Sequence, residues 1–423
     1  MKVFKFGGAS VNSADAVRNM AKIVQSHLES EALVVVVSAM GKTTNLLEKL
    51  VPGVLETGEG RQELRRALED YHRGIASALM PDNMEVHRKM DALLAGLDHL
   101  CATLPTDAGH YNYSYDQVVS HGELLSTTII ADYLNTLGIN TLWVDVREFV
   151  CTDDHYREGH VDWEATRERC GRLESLLGNH QVVLTQGFIA QTSHGGHTTT
   201  LGREGSDYTA AILAYCLNAE SVTIWKDVPG FLNADPKFFP DTVKIEQIPY
   251  NEAIELAYYG ASVIHPKTVK PLQNKHIPLY IRSFISPESE GSAIGNYRTV
   301  RPETPLYIFK NNQILLSILP RDYSFIAEDN LQVIFGILNE LGIRVNLMQN
   351  SALSFSICVD NNPQRMGLLV ERLNSMFQVR YNENLQLVTI RHYTQEVIDR
   401  IVAGRPVLLE QRNRLTEQLI VPC

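Results

Sequence analysis

The segment Lys2–Ser10, KVFKFGGAS, joins a short apolar run to a pair of glycines, and an amphipathic stretch follows it. Its apolar residues predict a strand over Lys2–Phe6. Apolar residues at helical spacing then predict a helix over Ala14–His27. A second apolar run predicts the next strand over Leu33–Ser38. The chain therefore opens on a strand–helix–strand unit of the kind that builds a parallel sheet.

The same alternation continues well beyond this unit. Further strands are predicted at Thr141–Val146, Gln181–Gln186, Ser221–Lys226 and Pro278–Ser283. Helices are predicted at Tyr115–Leu137, Asp162–Leu177, Ser206–Asn218 and Tyr250–Tyr259. We therefore expect an α/β fold of three layers, with a mostly parallel sheet between two layers of helices. The stretch Leu46–Thr103 has helical periodicity throughout and predicts a helical insertion that serves as a lid or a partner surface.

The pattern changes near Gly291–Pro305, where glycine and proline among polar residues predict a linker. The shorter elements beyond it follow the order βαββαβ of a ferredoxin-like α+β unit, up to a strand near Val379. A further strand at Leu387–Arg391 begins a second unit that stops before it is complete. These patterns predict two domains, over residues 1–295 and 306–423, with a truncated second unit in the latter.

Composition limits the class of protein. The chain has 423 residues, a net charge of −11 and 44% hydrophobic residues, which is typical of a globular protein and excludes a disordered or low-complexity chain. Its Lys and Arg residues form no long run, which argues against nucleic acid as the partner. Apolar runs are far shorter than the roughly 20 residues of a membrane span. The six cysteines include no CxxC pair, so we expect a reducing, cytoplasmic location without membrane contact.

Two glycine-rich turns carry a cation at the start of a predicted helix. Lys5–Ser10 places a lysine beside Gly7 and Gly8, and Gly202–Asp207 places Arg203 beside small residues and an acid. Backbone N–H groups at such turns bind anions, and the cation adds positive charge. The first turn alone is equally compatible with an ordinary βα connection, and the acid of the second turn, Asp207, with a helix cap. Together they indicate a site for a polyanion such as a nucleoside triphosphate.

Other candidate motifs are weaker. In Ser120–Glu123, SHGE, the glutamate is suited to accept from a substrate ammonium or to be a first-turn carboxylate, and His121 favours a packing role. Gly41–Thr43 imitates the end of a P-loop but lacks its first glycine. The HxxH spacing of His194 and His197 falls in a polar loop, so no metal site is predicted there.

Taken in order, these and further motifs resemble those of the aspartate kinases of the amino acid kinase family. The motifs are KFGGAS (5–10), VSAM (37–40) with TN (44–45), SHGE (120–123), TQGF (185–188), TTTLGREGSD (198–207), WKDVPG (225–230), Asn-Ala-Asp-Pro (233–236) and GASVIHP (260–266). The resemblance covers essentially the whole chain, and the C-terminal βαββαβ unit is similar to the ACT regulatory domains of the same enzymes. It implies the amino acid kinase fold and ATP-dependent phosphorylation of the side-chain carboxylate of L-aspartate to 4-phospho-L-aspartate. This reaction is the first step toward lysine, threonine, methionine and, in bacteria, diaminopimelate.

The resemblance also implies a role for each matching residue. Lys5 would neutralise the transferred phosphoryl group and Asp207 would hold that lysine, so both count as catalytic. Arg203 would bind a substrate carboxylate in bidentate fashion and Glu123 the substrate ammonium. The remaining pocket residues would be Thr44, Phe188 and Ser206. The nucleotide would contact Gly7, Gly8, Ser10, Lys226 and Asp227, with Lys237 near its phosphates, and Mg²⁺ would enter with ATP rather than in a protein cage.

Departures from the family pattern concern regulation and the nucleotide. Ala9 replaces the usual threonine, and Ser262 stands where some relatives have a nucleotide-contacting lysine, which leaves Lys267 as a possible substitute. In lysine-inhibited relatives, acidic residues of the ACT unit meet the ammonium groups of lysine. This chain has Asn346 and Ala352 in the matching segments, so we predict weak or absent lysine inhibition there.

Two other functions stay open at this point. One is a kinase of the same fold acting on another small carboxylate, and the other is an amino-acid sensor without turnover. The presence of Lys5, Glu123, Arg203 and Asp207 together favours the enzyme. ACT-type units pair side by side and thereby cover a sheet edge, so a homodimer through that region is expected.

Overall fold

A computed structural model describes residues 1–28, 32–53, 58–261, 263–322 and 324–423. It divides into two compact units. Unit 1 consists of Met1–Phe231, Lys244–Ile254 and Val263–Pro302. Unit 2 consists of Leu232–Val243, Glu255–Ser262 and Glu303–Cys423, so two short segments from within the predicted first domain belong to it.

The strands are β1 Lys2–Phe6, β2 Leu33–Val37, β3 Thr141–Val144, β4 Cys151–Thr152, β5 Val182–Gln186, β6 Ile189–Thr192, β7 Thr198–Thr200, β8 Ser221–Lys226, β9 Phe231–Leu232, β10 Lys244–Ile245, β11 Gln247–Pro249, β12 Leu279–Ser283, β13 Ser292–Gly295, β14 Leu306–Pro320, β15 Val345–Asn350, β16 Phe355–Asp360, β17 Phe377–Arg391, β18 Leu409–Arg412 and β19 Thr416–Pro422. The α-helices are α1 Ala14–Gln25, α2 Thr43–Leu50, α3 Gly58–Leu79, α4 Met84–Thr103, α5 Tyr111–Val119, α6 His121–Thr136, α7 Trp163–Leu177, α8 Gly205–Cys216, α9 Tyr250–Tyr259, α10 Pro266–Asn274, α11 Glu328–Glu340, α12 Pro363–Asn374 and α13 Gln395–Val402. Short 3₁₀ turns lie at Gly8–Val11, Ala108–His110 and Val146–Glu148.

Unit 1 is built on an eight-stranded sheet in the order β11-β13-β12-β8-β1-β2-β5-β3. Its neighbouring strands are parallel except for the antiparallel pair of β12 and β13. Strand β1 lies between β2 and β8, and Lys5 is in register with Val36 on one side and Ile224 on the other. The carboxyl ends of these three strands therefore meet at one edge, where ligands bind in open α/β sheets.

Two local predictions for unit 1 need correction. The predicted helix Tyr115–Leu137 is two helices that meet at Ser120, whose hydroxyl donates to the Gln117 carbonyl oxygen at 2.9 Å. The predicted linker contains strand β13, because those residues pair with both β11 and β12.

The predicted helical insertion packs on the core of unit 1. Buried residues of α3 and α4, such as Leu68 and Leu94, belong to the same core as Phe4 and Phe6 of β1. The two helices therefore form a layer of unit 1, and the role of the insertion as a lid or a partner surface stays a prediction. Residues 54–57 of the predicted insertion lie outside the described residues.

Unit 2 contains a six-stranded antiparallel sheet in the order β15-β16-β14-β17-β19-β18. Strands β14 and β17 are 15 residues long, and each runs through both halves of the sheet. Leu306–Lys310 pairs with Leu387–Arg391 in one half, while the C-terminal end of β14 pairs with the start of β17 in the other. The two ferredoxin-like units predicted in succession therefore share their central strands, with α11 and α12 covering one half and α13 the other.

No helix among the described residues is both long enough and apolar enough to span a membrane.

Candidate active site

A cavity of about 780 Å³ opens at the carboxyl edge of the sheet in unit 1. The end of β1, the turn after β2 and the start of α8 form its walls. The sequence-predicted residues that line it are Lys5, Gly8, Thr44, Glu123, Phe188, Arg203 and Ser206. The fold thus brings together seven of the predicted positions from five separate parts of the chain.

The predicted pair of Lys5 and Asp207 is formed, and a second lysine joins it. Lys5 Nζ lies 2.7 Å from Asp207 Oδ1, and Lys226 Nζ lies 3.3 Å from Asp207 Oδ2. Asp207 is completely buried at the first turn of α8. Burial alone would raise the pKa of Asp207, but the ammonium groups of Lys5 and Lys226 outweigh burial and hold that pKa at about 2. Asp207 is therefore an anion at all physiological pH values, and it keeps two cations side by side.

Helix α8 begins on a strained turn beside these charges. Glu204 occupies the N-cap with φ of 56°, and its carboxylate lies 3.6 Å from Lys226 Nζ. Burial raises the pKa of Glu204. Arg203, one residue earlier, is exposed at the cavity and has no ion-pair or hydrogen-bond partner among the described residues. The first-turn N–H groups of α8 and the free guanidinium of Arg203 give this end of the cavity a positive potential suited to anions.

Glu123 contributes a buried carboxyl group to the cavity that also contains the cationic Arg203. Its side chain is 2% exposed, Oε1 accepts from the Ala39 amide at 3.1 Å, and Oε2 has no hydrogen-bond partner. Burial raises the pKa of this carboxyl to about 8. A buried carboxyl with one unpaired oxygen costs free energy until a cation reaches it. Glu123 therefore fits the role of an acceptor for a ligand's ammonium group.

Of the predicted phosphate-binding residues in the glycine-rich turn after β1, only Gly8 lines the cavity. A Cβ on Gly8 would lie 2.8 Å from the Ala39 carbonyl oxygen and 2.9 Å from that of Gly41, so only glycine allows this close approach of two backbones. Gly7 precedes a 3₁₀ turn without lining the cavity. The Ser10 hydroxyl is buried and lies 3.4 Å from the Trp225 carbonyl oxygen. Ser10 thus faces the protein interior in this structure, and its expected phosphate contact stays a prediction.

Other predicted nucleotide contacts lie outside the cavity lining. Asp227 is exposed directly after β8, and Lys237 is an exposed residue of unit 2. Ser262, singled out as a departure from the family pattern, lies outside the described residues. Lys267 Nζ donates to the Leu201 carbonyl oxygen at 2.7 Å, next to the turn that carries Arg203.

Sequence reasoning missed one wall of the cavity, the segment His155–Glu158. Its only sequence signal was a dense run of polar and charged residues directly after a short strand. Asp116 on α5 holds this wall in place: it is completely buried and accepts from the Arg157 amide at 2.9 Å and the Thr200 amide at 3.0 Å. Burial raises the pKa of Asp116 to about 6.

Two histidines that the sequence did not predict to bind a ligand or a metal, His121 and His197, contact other residues of the protein. His121 is buried and its Nδ1 lies 3.2 Å from the Gln117 carbonyl oxygen; burial lowers its pKa to about 4. The ring of His197 packs edge-on against Tyr113 at 5.4 Å. Within the described ranges, no group of three or more His, Cys, Asp and Glu side chains is placed to hold a metal ion.

Residues 1–283 match the amino acid kinase family, which covers nearly all of unit 1. The chain therefore belongs to the amino acid kinase family.

Relatives that cover most of both chains narrow this class to the aspartokinases. The lysine-sensitive aspartokinase 3 of Escherichia coli K12 is 34% identical over 402 residues, which are 92% of this chain and 86% of that protein. Aspartokinase 1 of Arabidopsis thaliana chloroplasts is 32% identical over 85% of this chain and 63% of its own length. The crystal structure of E. coli aspartokinase III in complex with aspartate and ADP superposes with a TM-score of 0.82, at 31% identity over 100% of this chain and 96% of that one.

The pKa of Glu123 predicts proton release when an ammonium compound binds. With a pKa of about 8 this carboxyl is protonated at pH 7 in the free protein, whereas it is ionised in the unfolded chain, whose Glu pKa is about 4.3. Its contribution to stability is therefore greatest at low pH and is lost as the pH rises toward 8. An ammonium at Oε2 lowers the pKa, so binding of L-aspartate at pH 7 releases about 0.9 proton.

Calorimetric titration in buffers of different ionisation enthalpy measures this release directly. Glu123→Gln should abolish it and weaken aspartate binding at least tenfold, since a neutral amide replaces a charged acceptor. Equal binding enthalpies in all buffers for the unmodified protein would show that Glu123 is already ionised or does not meet the ammonium.

Proposed function

We propose that this protein is an aspartate kinase that transfers the γ-phosphoryl group of ATP to the side-chain carboxylate of L-aspartate. The product is 4-phospho-L-aspartate, and the reaction is the first step toward lysine, threonine and methionine. One observation carries the proposal beyond family membership: Glu123, with its unpaired buried oxygen, lines the same cavity as the Lys5–Asp207 ion pair and the free guanidinium of Arg203. That set matches an amino acid with two carboxylates.

The chemistry needs positioning and positive charge more than proton transfer. A carboxylate with an ordinary pKa of about 3.9 is already ionised at pH 7, so the acceptor is a ready nucleophile and no general base is required. Its oxygen forms a bond to the γ-phosphorus while the bond from that phosphorus to the bridging oxygen of ADP breaks. Negative charge on the transferred group and on ADP must then be stabilised. Lys5 and Lys226, held together by Asp207, supply that charge.

Each remaining residue has a binding role in this proposal. Arg203 pairs with the substrate α-carboxylate and Glu123 with its ammonium, while Thr44, Phe188 and Ser206 form the pocket around its carbon chain. The backbone of Gly7 and Gly8 meets phosphate oxygens. Asp227 and Lys237 contact the nucleotide in this proposal, which for these two residues rests on the resemblance alone.

Magnesium enters as part of the ATP substrate. Mg²⁺ keeps several waters and is coordinated chiefly by phosphate oxygens in kinases, so a dedicated protein cage is not required. We propose a cytoplasmic location, supported by the six cysteines, all of which are free thiols in this structure.

A regulatory role and a homodimer are proposed for residues 306–423, and a catalytic role for residues 1–295. Strand β15 lies at one end of the six-stranded sheet, and Met348 on it is 52% exposed. Phe325 and Leu353 nearby in sequence are 72% and 44% exposed. Pairing of two such edges in a dimer would cover these apolar groups and the open backbone groups of the strand.

The lysine-sensitive relative raises the question of lysine control in this chain. Asn346 already uses its amide: Oδ1 accepts from Lys310 Nζ at 2.9 Å, and Nδ2 donates to Gln313 at 2.8 Å and Asp360 at 3.0 Å. Ala352 has no carboxylate to offer. A lysine ammonium in this region would therefore find no free acceptor on either residue.

Hydroxylamine trapping tests the reaction. The protein is incubated with Mg²⁺-ATP, hydroxylamine and either aspartate, glutamate or N-acetylglutamate, and the coloured acyl hydroxamate is measured. We expect product with aspartate alone. Lys5→Ala and Arg203→Ala should each lower kcat/KM at least about 100-fold, because each removes a charge that faces the substrates. Product with another acid would move the substrate, and ATP binding without product from any acid would favour the sensor.

The same assay measures regulation. Millimolar L-lysine should leave the initial rate within about twofold of the control, because an ammonium bound without a paired carboxylate is poorly compensated. Asn350→Ala, on the same strand but exposed, serves as the matched variant for Asn346→Ala. Strong inhibition by lysine that Asn346→Ala abolishes and Asn350→Ala retains would contradict this prediction.

A further inference from the structure

Arg157 is a second arginine in the lining of the cavity, in addition to Arg203. Its guanidinium lies over the ring of Tyr115, 4.2 Å from the ring centroid, which orients the planar group. Its nearest ion-pair partner is Glu48, with 3.6 Å between Nη2 and Oε1, and both side chains are about two-fifths exposed. A solvent-exposed pair at this distance contributes little, so the guanidinium is available to a better anion.

The backbone at Arg157 is held in an uncommon conformation. Its φ is 71°, in the left-handed region that residues with a Cβ rarely adopt. The Arg157 amide donates to Asp116 Oδ2 at 2.9 Å, and the same carboxylate accepts from the Thr200 amide and hydroxyl at 3.0 and 2.8 Å. Strained residues persist where surrounding contacts hold them, and they concentrate at binding sites. Asp116 is the contact that holds this one.

The segment of Arg157 also packs against the turn that carries Arg203. A Cβ on Gly202 would lie 2.7 Å from Glu158 Cγ and 3.1 Å from the Arg157 carbonyl oxygen. The Gly159 amide donates to the Thr200 carbonyl oxygen at 2.9 Å, which fixes the two segments to each other. The two arginines therefore lie on adjoining segments of one cavity wall.

The distribution of charge in the cavity indicates which anion Arg157 binds. Lys5 and Lys226 are paired with Asp207 and serve the phosphoryl group, whereas Arg203 and Arg157 have no strong partner. The substrate presents one carboxylate to the γ-phosphate and a second, the α-carboxylate, that needs a cation.

We propose that Arg157 is a second α-carboxylate-binding residue of the L-aspartate site, and that Asp116 is the positioning residue that places it. This inference rests on the proposed function. Glu48 occupies the guanidinium only in the absence of substrate, and the α-carboxylate replaces it when L-aspartate binds.

Steady-state kinetics of Arg157→Ala and Arg157→Lys test the proposal. We expect KM for L-aspartate to rise about tenfold in Arg157→Ala, with kcat and KM for ATP within twofold, and an intermediate KM in Arg157→Lys. Arg167→Ala is the matched control, because Arg167 also stacks on a tyrosine, Tyr215, in the same unit without lining the cavity. It should leave all three parameters unchanged.

The α-amide of L-aspartate distinguishes a role of Arg157 in binding the α-carboxylate from a role in supporting the cavity wall. This compound keeps the reacting carboxylate and the ammonium but lacks the α-carboxylate. Arg157→Ala should change its KM less than twofold. An equal rise in KM for aspartate and for the α-amide, or an unchanged KM for aspartate, would overturn the proposal and leave Arg157 a structural role.

Asp116→Ala tests the positioning role through non-additivity. Alanine removes the oxygen that accepts from the Arg157 and Thr200 amides, so KM for aspartate should rise as in Arg157→Ala, and the double variant should show no further rise. Additive effects would contradict positioning.

A binding measurement keeps this proposal distinct from the proposed function. If the unmodified protein forms no hydroxamate, calorimetry still gives the dissociation constant for L-aspartate, and Arg157→Ala should raise it about tenfold. An unchanged dissociation constant would refute the role of Arg157 whether or not the protein turns over.

Discussion

The buried carboxylate of Asp207 between two lysines is the interaction on which the site depends. Lys5 comes from the end of β1, Lys226 from the end of β8, and Asp207 from the first turn of α8. Removing three charges from water is expensive, and well-packed apolar groups would stabilise the fold at least as well. The cluster therefore makes physical sense as a device that concentrates positive charge where phosphate arrives. The parallel pairing of β1 with β8 makes this cluster possible, because the pairing brings both lysines to one edge of the sheet.

The cavity contains a second buried acid in the opposite state. Asp207 has a pKa of about 2 because two ammonium groups face it, whereas Glu123 has a pKa of about 8 because burial dominates and one oxygen is unpaired. Two carboxyl groups whose environments give them such different pKa values are suited to different tasks. Asp207 is an anion that holds two cations of the protein in place, and in the proposed function Glu123 becomes an anion when the substrate ammonium reaches it. These two states suit a substrate that carries both signs of charge.

Sequence patterns predicted most of the fold and the charged centre of the site. Strand and helix periodicity located β1 and β8 to the residue, and glycine-rich turns pointed to Lys5 and Asp207. Contacts that depend on distant segments were not predictable. Ser10 looks like a phosphate ligand in its motif, yet its hydroxyl faces the Trp225 carbonyl oxygen, which lies 215 residues away in the chain. Arg157 belongs to no motif, and its loop is held in the cavity wall by Asp116 of helix α5. In unit 2, local spacing could not reveal that β14 and β17 each run through both halves of one sheet.

The most direct test of the central claim is the kinetics of Asp207→Asn. Without this carboxylate the two lysines repel each other and leave the position required for phosphoryl transfer. We expect kcat to fall at least about 100-fold, with KM for L-aspartate within about threefold. Asp132→Asn, which removes the partner of Lys89 in a surface ion pair, is the control and should leave kcat unchanged. A folded Asp207→Asn variant with kcat within threefold of the unmodified protein would contradict the account.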